Sequence, residues 1–143
     1  MPIAIENTLL YGLHRAAQTL EAETSDRLAG LGLTPRQAIV LMAIAEAGHA
    51  NQRMFVEKTG VDRSTIGTIF ARLQKRKLVR RPRSMIDSRA RIVALTHEGE
   101  QVEREARAIV EVVEAEARAR IGKDQPALGS ALRALAAARV AAG

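Results

Sequence analysis

The sequence predicts a mainly α-helical fold with one small β-hairpin, and three observations carry that reading. Apolar residues make up 47% of the chain and aromatic residues only 2%, so Ala, Leu, Val and Ile must fill the core, a mix that suits helix-on-helix packing. Apolar side chains recur every three or four positions through most of the length. Only residues 78–95 depart from that period, with Val, Ile and Arg on either side of a polar turn. At 143 residues a single domain is expected, able to bury roughly two-thirds of the surface its unfolded form exposes.

Ile5, Leu9, Leu13, Ala16, Ala17 and Leu20 form the stripe of a long amphipathic helix over about 5–28, which Gly30 and Gly32 end. Thr34-Pro35-Arg36-Gln37 then supplies an N-cap, a proline at the first helical position and a Gln three residues past the cap, so a second helix starts at Pro35. Its apolar positions Ala38, Ile39, Leu41, Met42, Ile44 and Ala45 cover most of its circumference, which predicts a centrally buried helix ending near Gly48. Asn51 caps a short helix over 52–59, closed by Gly60, which is free to adopt the left-handed conformation of a sharp turn. Asp62 caps the next, over 63–76, with Ile66, Ile69, Phe70 and Leu73 inward and Arg63, Ser64, Thr65, Thr68, Arg72 and Lys75 on other faces. Strands are expected at 78–81 and 90–95 around a turn at 82–88. Thr96 caps a long helix to about Ile121 with the stripe Val102, Ala106, Ile109, Val110, Val113 and Ala117; Gly122 stops it. A last helix from Asp124 places Leu128, Leu132 and Leu135 on one face.

Several function classes are excluded by what the chain lacks. Without cysteine there is no disulfide framework, thiolate metal site or thiol redox switch. His14, His49 and His97 are scattered with no i, i+4 pair, and no phosphate-binding glycine loop, nucleophile elbow or HExxH pattern occurs. The chain is therefore read as no enzyme, with no cofactor and no metal. No run of 18 apolar residues and no basic start followed by an apolar stretch is found, so a cytoplasmic location is expected.

The charge distribution suits either a polyanion-binding face or a solvated basic surface. The net charge is +6, but residues 51–92 hold twelve Lys or Arg against Glu57, Asp62 and Asp87, which gives that segment +9 and the remainder −3. A concentrated positive field suits nucleic acid, because each neutralised phosphate releases condensed counterions. Within this segment, two short helices joined through Gly60, with Val56, Val61, Ile66 and Ile69 between them, read as a helix-turn-helix. A hairpin with Arg83, Arg89 and Arg91 about its tip follows directly, and the combination is a winged helix-turn-helix.

These residues resemble the MarR family of bacterial regulators over nearly the whole chain. The matching stretches are Gly32-Leu-Thr-Pro-Arg-Gln37, Val61-Asp-Arg-Ser-Thr-Ile66, Leu78-Val79, Asp87-Ser-Arg-Ala-Arg91 and Leu95-Thr-His-Glu-Gly99. The resemblance implies one MarR-like domain, with 5–31 and 97–143 as interlocked dimerisation helices and 33–96 as the DNA-binding lobe. Stripes at both ends of the chain agree with a homodimer, since they exceed what one small lobe could cover. It implies a pseudo-palindromic double-stranded DNA operator, with Arg63, Ser64, Thr65, Thr68, Arg72, Lys75 and Arg53 contacting bases or phosphates. It further implies that Arg89 reaches into the minor groove, oriented by Asp87, with Arg91 as another DNA contact.

The function implied is a repressor whose dimer leaves the operator on binding a small aromatic or anionic effector, such as an aromatic carboxylate, a phenol or an acyl-CoA thioester. Tyr11, His14, Arg15 and Arg36 are the candidate effector groups. The alternatives are a constitutive winged-helix activator or architectural protein with no effector, and a winged helix used for protein contacts. Two departures stand out. Lys77 occupies a position where the family usually has Gly, and Gly67 lies inside the recognition helix, where it costs roughly 1 kcal/mol against Ala. Either Gly67 permits close backbone approach to DNA, or it is merely tolerated.

Overall fold

Thr8 starts the first helix later than the apolar period suggests. In the computed structural model, which describes residues 1–82 and 92–140, Ile5–Asn7 make a single 3₁₀ turn and α1 spans Leu9–Leu28. The extended Thr8 donates its hydroxyl to the Ile5 carbonyl at 2.8 Å and accepts the Tyr11 amide at 3.1 Å. A hydroxyl that satisfies both flanking backbone groups interrupts a helix that the stripe alone would carry back to Ile5.

The second helix, α2 (Pro35–Ala47), carries the expected capping box, with the Gln37 amide donating to Thr34 Oγ1 at 3.2 Å and the Thr34 amide to Gln37 Oε1 at 3.0 Å. Next come β1 (Ala50–Asn51), α3 (Gln52–Thr59), α4 (Arg63–Lys75), β2 (Val79–Arg80), β3 (Ile92–Leu95), α5 (His97–Ile121) and α6 (Gln125–Val140). The sheet has three strands, not the expected two, in the order β1-β3-β2 with both pairings antiparallel. Ala50 pairs with Val93, and Asn51 with Ile92. Two residues cannot show an alternating pattern, so β1 is defined only by its partner. The last helix opens at Gln125 after a 3₁₀ turn over Gly122–Asp124.

The chain forms two compact units, Met1–Val110 and Glu111–Gly143. In the first, Leu28, Leu33, Val40, Leu41, Ile44, Phe55, Ile66, Phe70, Leu73, Leu78, Val93 and Ala106 build one core. Helix α2 contributes most to it, yet it is not covered all round: Ile39 is 50% exposed and Ala45 is exposed. Leu9 and Leu10 of α1 are 73% and 80% exposed. The second unit holds the end of α5 and α6, and there Leu128, Leu132 and Leu135 are exposed. Among the described residues no single helix is long and apolar enough to cross a membrane.

A tight junction joins α4, the sheet and α5. Lys77 is the one non-glycine residue among those described with positive φ, at 60°. Its carbonyl accepts the Thr96 hydroxyl at 2.6 Å, and the Leu78 carbonyl accepts the Thr96 amide at 3.0 Å. Thr96 Oγ1 in turn accepts the Gly99 amide at 2.9 Å, so one hydroxyl caps α5 and ties it to the chain leaving α4. A Cβ on Gly99 would overlap the Leu78 carbonyl oxygen.

Two substitutions at this junction should therefore have opposite signs. Gly99→Ala is expected to lower unfolding free energy by at least about 2 kcal/mol, since backbone must move to admit the methyl group. Lys77→Gly should raise it by about 0.5–1 kcal/mol, the left-handed penalty relieved less the extra chain entropy of glycine. Urea denaturation of the purified variants checks both.

Candidate nucleic-acid interface

Helices α3 and α4 are set against each other by their aromatic pair: the Phe55 and Phe70 rings meet edge to face, with centroids 5.1 Å apart at 89°. Gly60, at φ 69°, turns the chain between them, and its amide bonds the Val56 carbonyl at 3.0 Å. With Ile66, Ile69, Phe70 and Leu73 buried, the 3.6-residue period leaves Arg63, Ser64, Thr68, Arg72 and Lys75 exposed on α4.

The first turn of α4 is more tightly bound than its sequence suggests. Both oxygens of Asp62 are used: Oδ1 accepts the Thr65 amide at 2.9 Å and Oδ2 accepts the Thr65 hydroxyl at 2.6 Å. These bonds hold the Asp62 carboxyl below its ordinary range, the Thr65 hydroxyl contributing most. Thr65 is half-buried with its proton committed to Asp62, which leaves its oxygen as an acceptor. The Thr68 hydroxyl donates to the Ser64 carbonyl at 3.2 Å. Arg53, in the first turn of α3, is 87% exposed and pairs with Glu57 at 3.2 Å, a surface contact that a phosphate could readily displace.

Gly67 has a protein reason for its missing side chain. Gln52, the first residue of α3, crosses onto α4 and donates its amide nitrogen to the Arg63 carbonyl at 3.0 Å. A Cβ on Gly67 would lie 3.0 Å from that nitrogen. The glycine makes room for a tie between the two helices.

Sequence reasoning missed Gln52, and it also missed Arg76 and the Arg107 cluster. Arg76, at the end of α4, donates from Nη1 to the Gly32 carbonyl and from Nη2 to the Leu31 carbonyl, each at 2.8 Å. Arg107 on α5 bonds the buried Glu103 at 2.6 Å, lies 3.7 Å from Glu46 of α2, and reaches the Met42 carbonyl at 3.4 Å. Lys58 of α3 bonds Glu46 at 2.6 Å. Lys58 first, and Arg107 after it, hold the Glu46 carboxyl below its usual value. Of these, only the i, i+4 spacing of Glu103 and Arg107 is visible in the sequence. The wing candidates Asp87, Arg89 and Arg91, with Arg83, lie outside the described residues; Arg80 and Arg81, at the base of the wing, are exposed.

A cleft of about 560 Å³ opens between α1, the start of α2 and α4. Gln18, Glu21, Ala22 and Ser25 line it from α1, Thr34 to Gln37 from the α2 terminus, and Thr65, Thr68, Ile69 and Arg72 from α4. Of the four candidate effector groups it brings in Arg36 alone. Tyr11 is half-buried, His14 and Arg15 are exposed, Arg15 donates to Gln18 at 3.3 Å, and none of the three lines the cleft.

Comparison with known proteins places this geometry among characterised relatives. A model of the MarR family matches residues 31–90. The transcriptional regulator HosA of Escherichia coli O127:H6 (strain E2348/69 / EPEC) is 33% identical over 100 residues, which cover 70% of this chain and 73% of HosA. Among solved structures, the transcriptional repressor CouR bound to p-coumaroyl-CoA is similar at 27% identity and a TM-score of 0.83, covering 92% of this chain and 94% of that one. Bordetella bronchiseptica BpsR, whose DNA binding is regulated by 6-hydroxynicotinic acid, shares the fold with a TM-score of 0.88 at 24% identity, covering 95% and 98%.

The Asp62 cap has a pH signature. Its folded pKa lies below the ordinary 3.8, so its stabilisation is fully present above the unfolded value and is lost as pH falls through the folded one. Asp62→Ala should lower stability by a constant amount above about pH 5, with the gap from wild type closing towards about pH 3. Urea denaturation across that range is the measurement, and a gap that widens in acid contradicts the cap.

Proposed function

The chain belongs to the MarR family of transcriptional regulators, and from that premise we propose that it is a cytoplasmic, homodimeric repressor that releases its operator when a small anionic or aromatic molecule binds. In this reading residues 33–96 are the DNA-binding lobe, with α4 in the major groove. Arg63, Ser64, Thr68 and Arg72 face bases or phosphates, Thr65 as an acceptor faces a base amino group, and Arg53 and Lys75 face the backbone. In the same reading Arg89 enters the minor groove, Asp87 orients it, and Arg91 is a further DNA contact. Residues 5–31 and 97–143 pair with a second copy, which would cover the exposed leucines of α1 and α6.

The observation that carries the effector reading is the shared lining of the cleft. Thr65, Thr68 and Arg72 belong both to the face offered to DNA and to a cavity containing Arg36 and the α2 terminus. A carboxylate would find two guanidinium groups and the positive end of a helix dipole there, with Ala22, Pro35 and Ile69 for an apolar body. The chemical class proposed is an aromatic carboxylate, a phenol or an acyl-CoA thioester. The p-coumaroyl-CoA held by CouR supports that class.

DNA from the gene's own upstream region, titrated across a salt series, tests this reading. Wild type should bind tightly as a dimer, and Arg72→Ala or Arg89→Ala should weaken binding about tenfold or more and reduce the salt slope by about one per contact. Benzoates and CoA thioesters should then raise the melting temperature and lower operator affinity, and Arg36→Ala should blunt both effects. Binding that is specific but indifferent to every such compound would favour the constitutive regulator. No salt-dependent binding at all would overturn the DNA reading.

A further inference from the structure

We infer that Arg76 is a positioning residue: it fixes the end of the recognition helix to the 3₁₀ turn Ala29–Leu31 that follows α1, and it affects operator binding only by holding α4 in place. Arg76 stands among Arg72, Lys75 and Lys77, where charge alone would enrol it as another phosphate contact. Its guanidinium is committed elsewhere. Nη1 and Nη2 each donate at 2.8 Å to the successive carbonyls of Gly32 and Leu31. This planar fork is a geometry the single ammonium of lysine cannot reproduce.

Both ends of the clasp are held. The Arg76 amide bonds the Arg72 carbonyl at 3.1 Å, and the Lys77 amide bonds the Gln74 carbonyl at 2.9 Å at the α4 terminus. Gly32, left-handed at φ 64°, bonds Ala29 through its own amide at 3.0 Å, and this turn aims the two carbonyls at the guanidinium. A Cβ on Gly32 would sit 3.5 Å from Arg76 Nη2, so the groups are in contact but not crowded.

The position of the clasp relative to the cleft gives it a role in binding. The cleft-lining rows run from Gln18 to Ser25 on α1 and from Thr65 to Arg72 on α4, and both lead towards the clasp, one helical turn beyond Arg72. Thus α4 is tied at its C-terminal end to the turn after α1 and at its first turn to α3 through Gln52, while Thr65 between them lines the cleft. The inference rests on the homodimeric reading above, in which α1 refers each recognition helix to the two-fold axis. Losing the fork leaves the phosphate contacts intact but lets α4 wander from the separation that two half-sites require.

Arg76→Lys and Arg76→Ala, compared with wild type, test the clasp. Both should weaken binding to the protein's own operator about tenfold, with the salt slope and binding to unrelated duplex unchanged. Amide exchange at Gly32 and Leu33 should accelerate in both. The inference is overturned if Arg76→Lys restores wild-type operator affinity, if Arg76→Ala lowers the salt slope by about one as a phosphate contact would, or if exchange at 32–33 does not change. Should wild type itself bind no DNA specifically, the proposed function fails and this inference falls with it. Normal wild-type binding beside an unaffected Arg76→Ala rejects the inference alone.

Discussion

The backbone of Leu78 is the point on which the helix-turn-helix and its sheet depend. Its amide bonds the Leu73 carbonyl at 3.0 Å, its carbonyl accepts the Thr96 amide at 3.0 Å, and the first turn of α5 rests against that carbonyl at Gly99. Helix α4, strand β2 and helix α5 are thus joined through peptide groups. Side-chain packing tolerates shifts of a few tenths of an ångström by rotamer change, but a backbone oxygen against a glycine Cα does not. The left-handed Lys77 is the cost of bringing the chain round so sharply, and the Thr96 hydroxyl on its carbonyl holds it there.

Directional ties at the edge of the core complement this junction. The apolar cluster supplies most of the stability but says little about orientation, because burial is proportional to area and indifferent to direction. Orientation comes from Gln52 on Arg63, Arg76 on the turn after α1, and Arg107 with Glu103 and Glu46. Glu103 is only 6% exposed, a burial that a carboxylate tolerates because Arg107 meets it at 2.6 Å. The proposed homodimer, presenting two helices at a fixed separation, would have more use for such ties than a protein that needs only to stay folded.

How far the sequence reveals this arrangement follows from how local each feature is. The starts of α2, α3 and α4 were legible because Thr34, Asn51 and Asp62 bond amides three residues away. The helix-turn-helix was legible for the same reason, its buried residues and Gly60 lying within one short segment. Strand β1 was not, since its identity resides in Ile92 and Val93, some forty residues on. Arg76 reaches carbonyls 44 and 45 positions back, and no pattern within α4 announces it. The apolar count on α2 foretold a covered helix, yet half of Ile39 is open. Periodicity identifies apolar positions but not the chain that covers them.

The shared lining of the cleft bears on the sign and size of regulation. Under the proposed function Arg72 would divide its guanidinium donors between a DNA phosphate and a bound carboxylate, so the two ligands would compete for it. A charge-assisted hydrogen bond contributes about 1.5–3 kcal/mol, so losing one from the DNA complex lowers affinity by about ten- to a hundredfold. In the proposed homodimer each copy brings its own cleft. Two occupied clefts would compound that factor, and a ligand acting through one side chain per copy would clear an operator without a large conformational change.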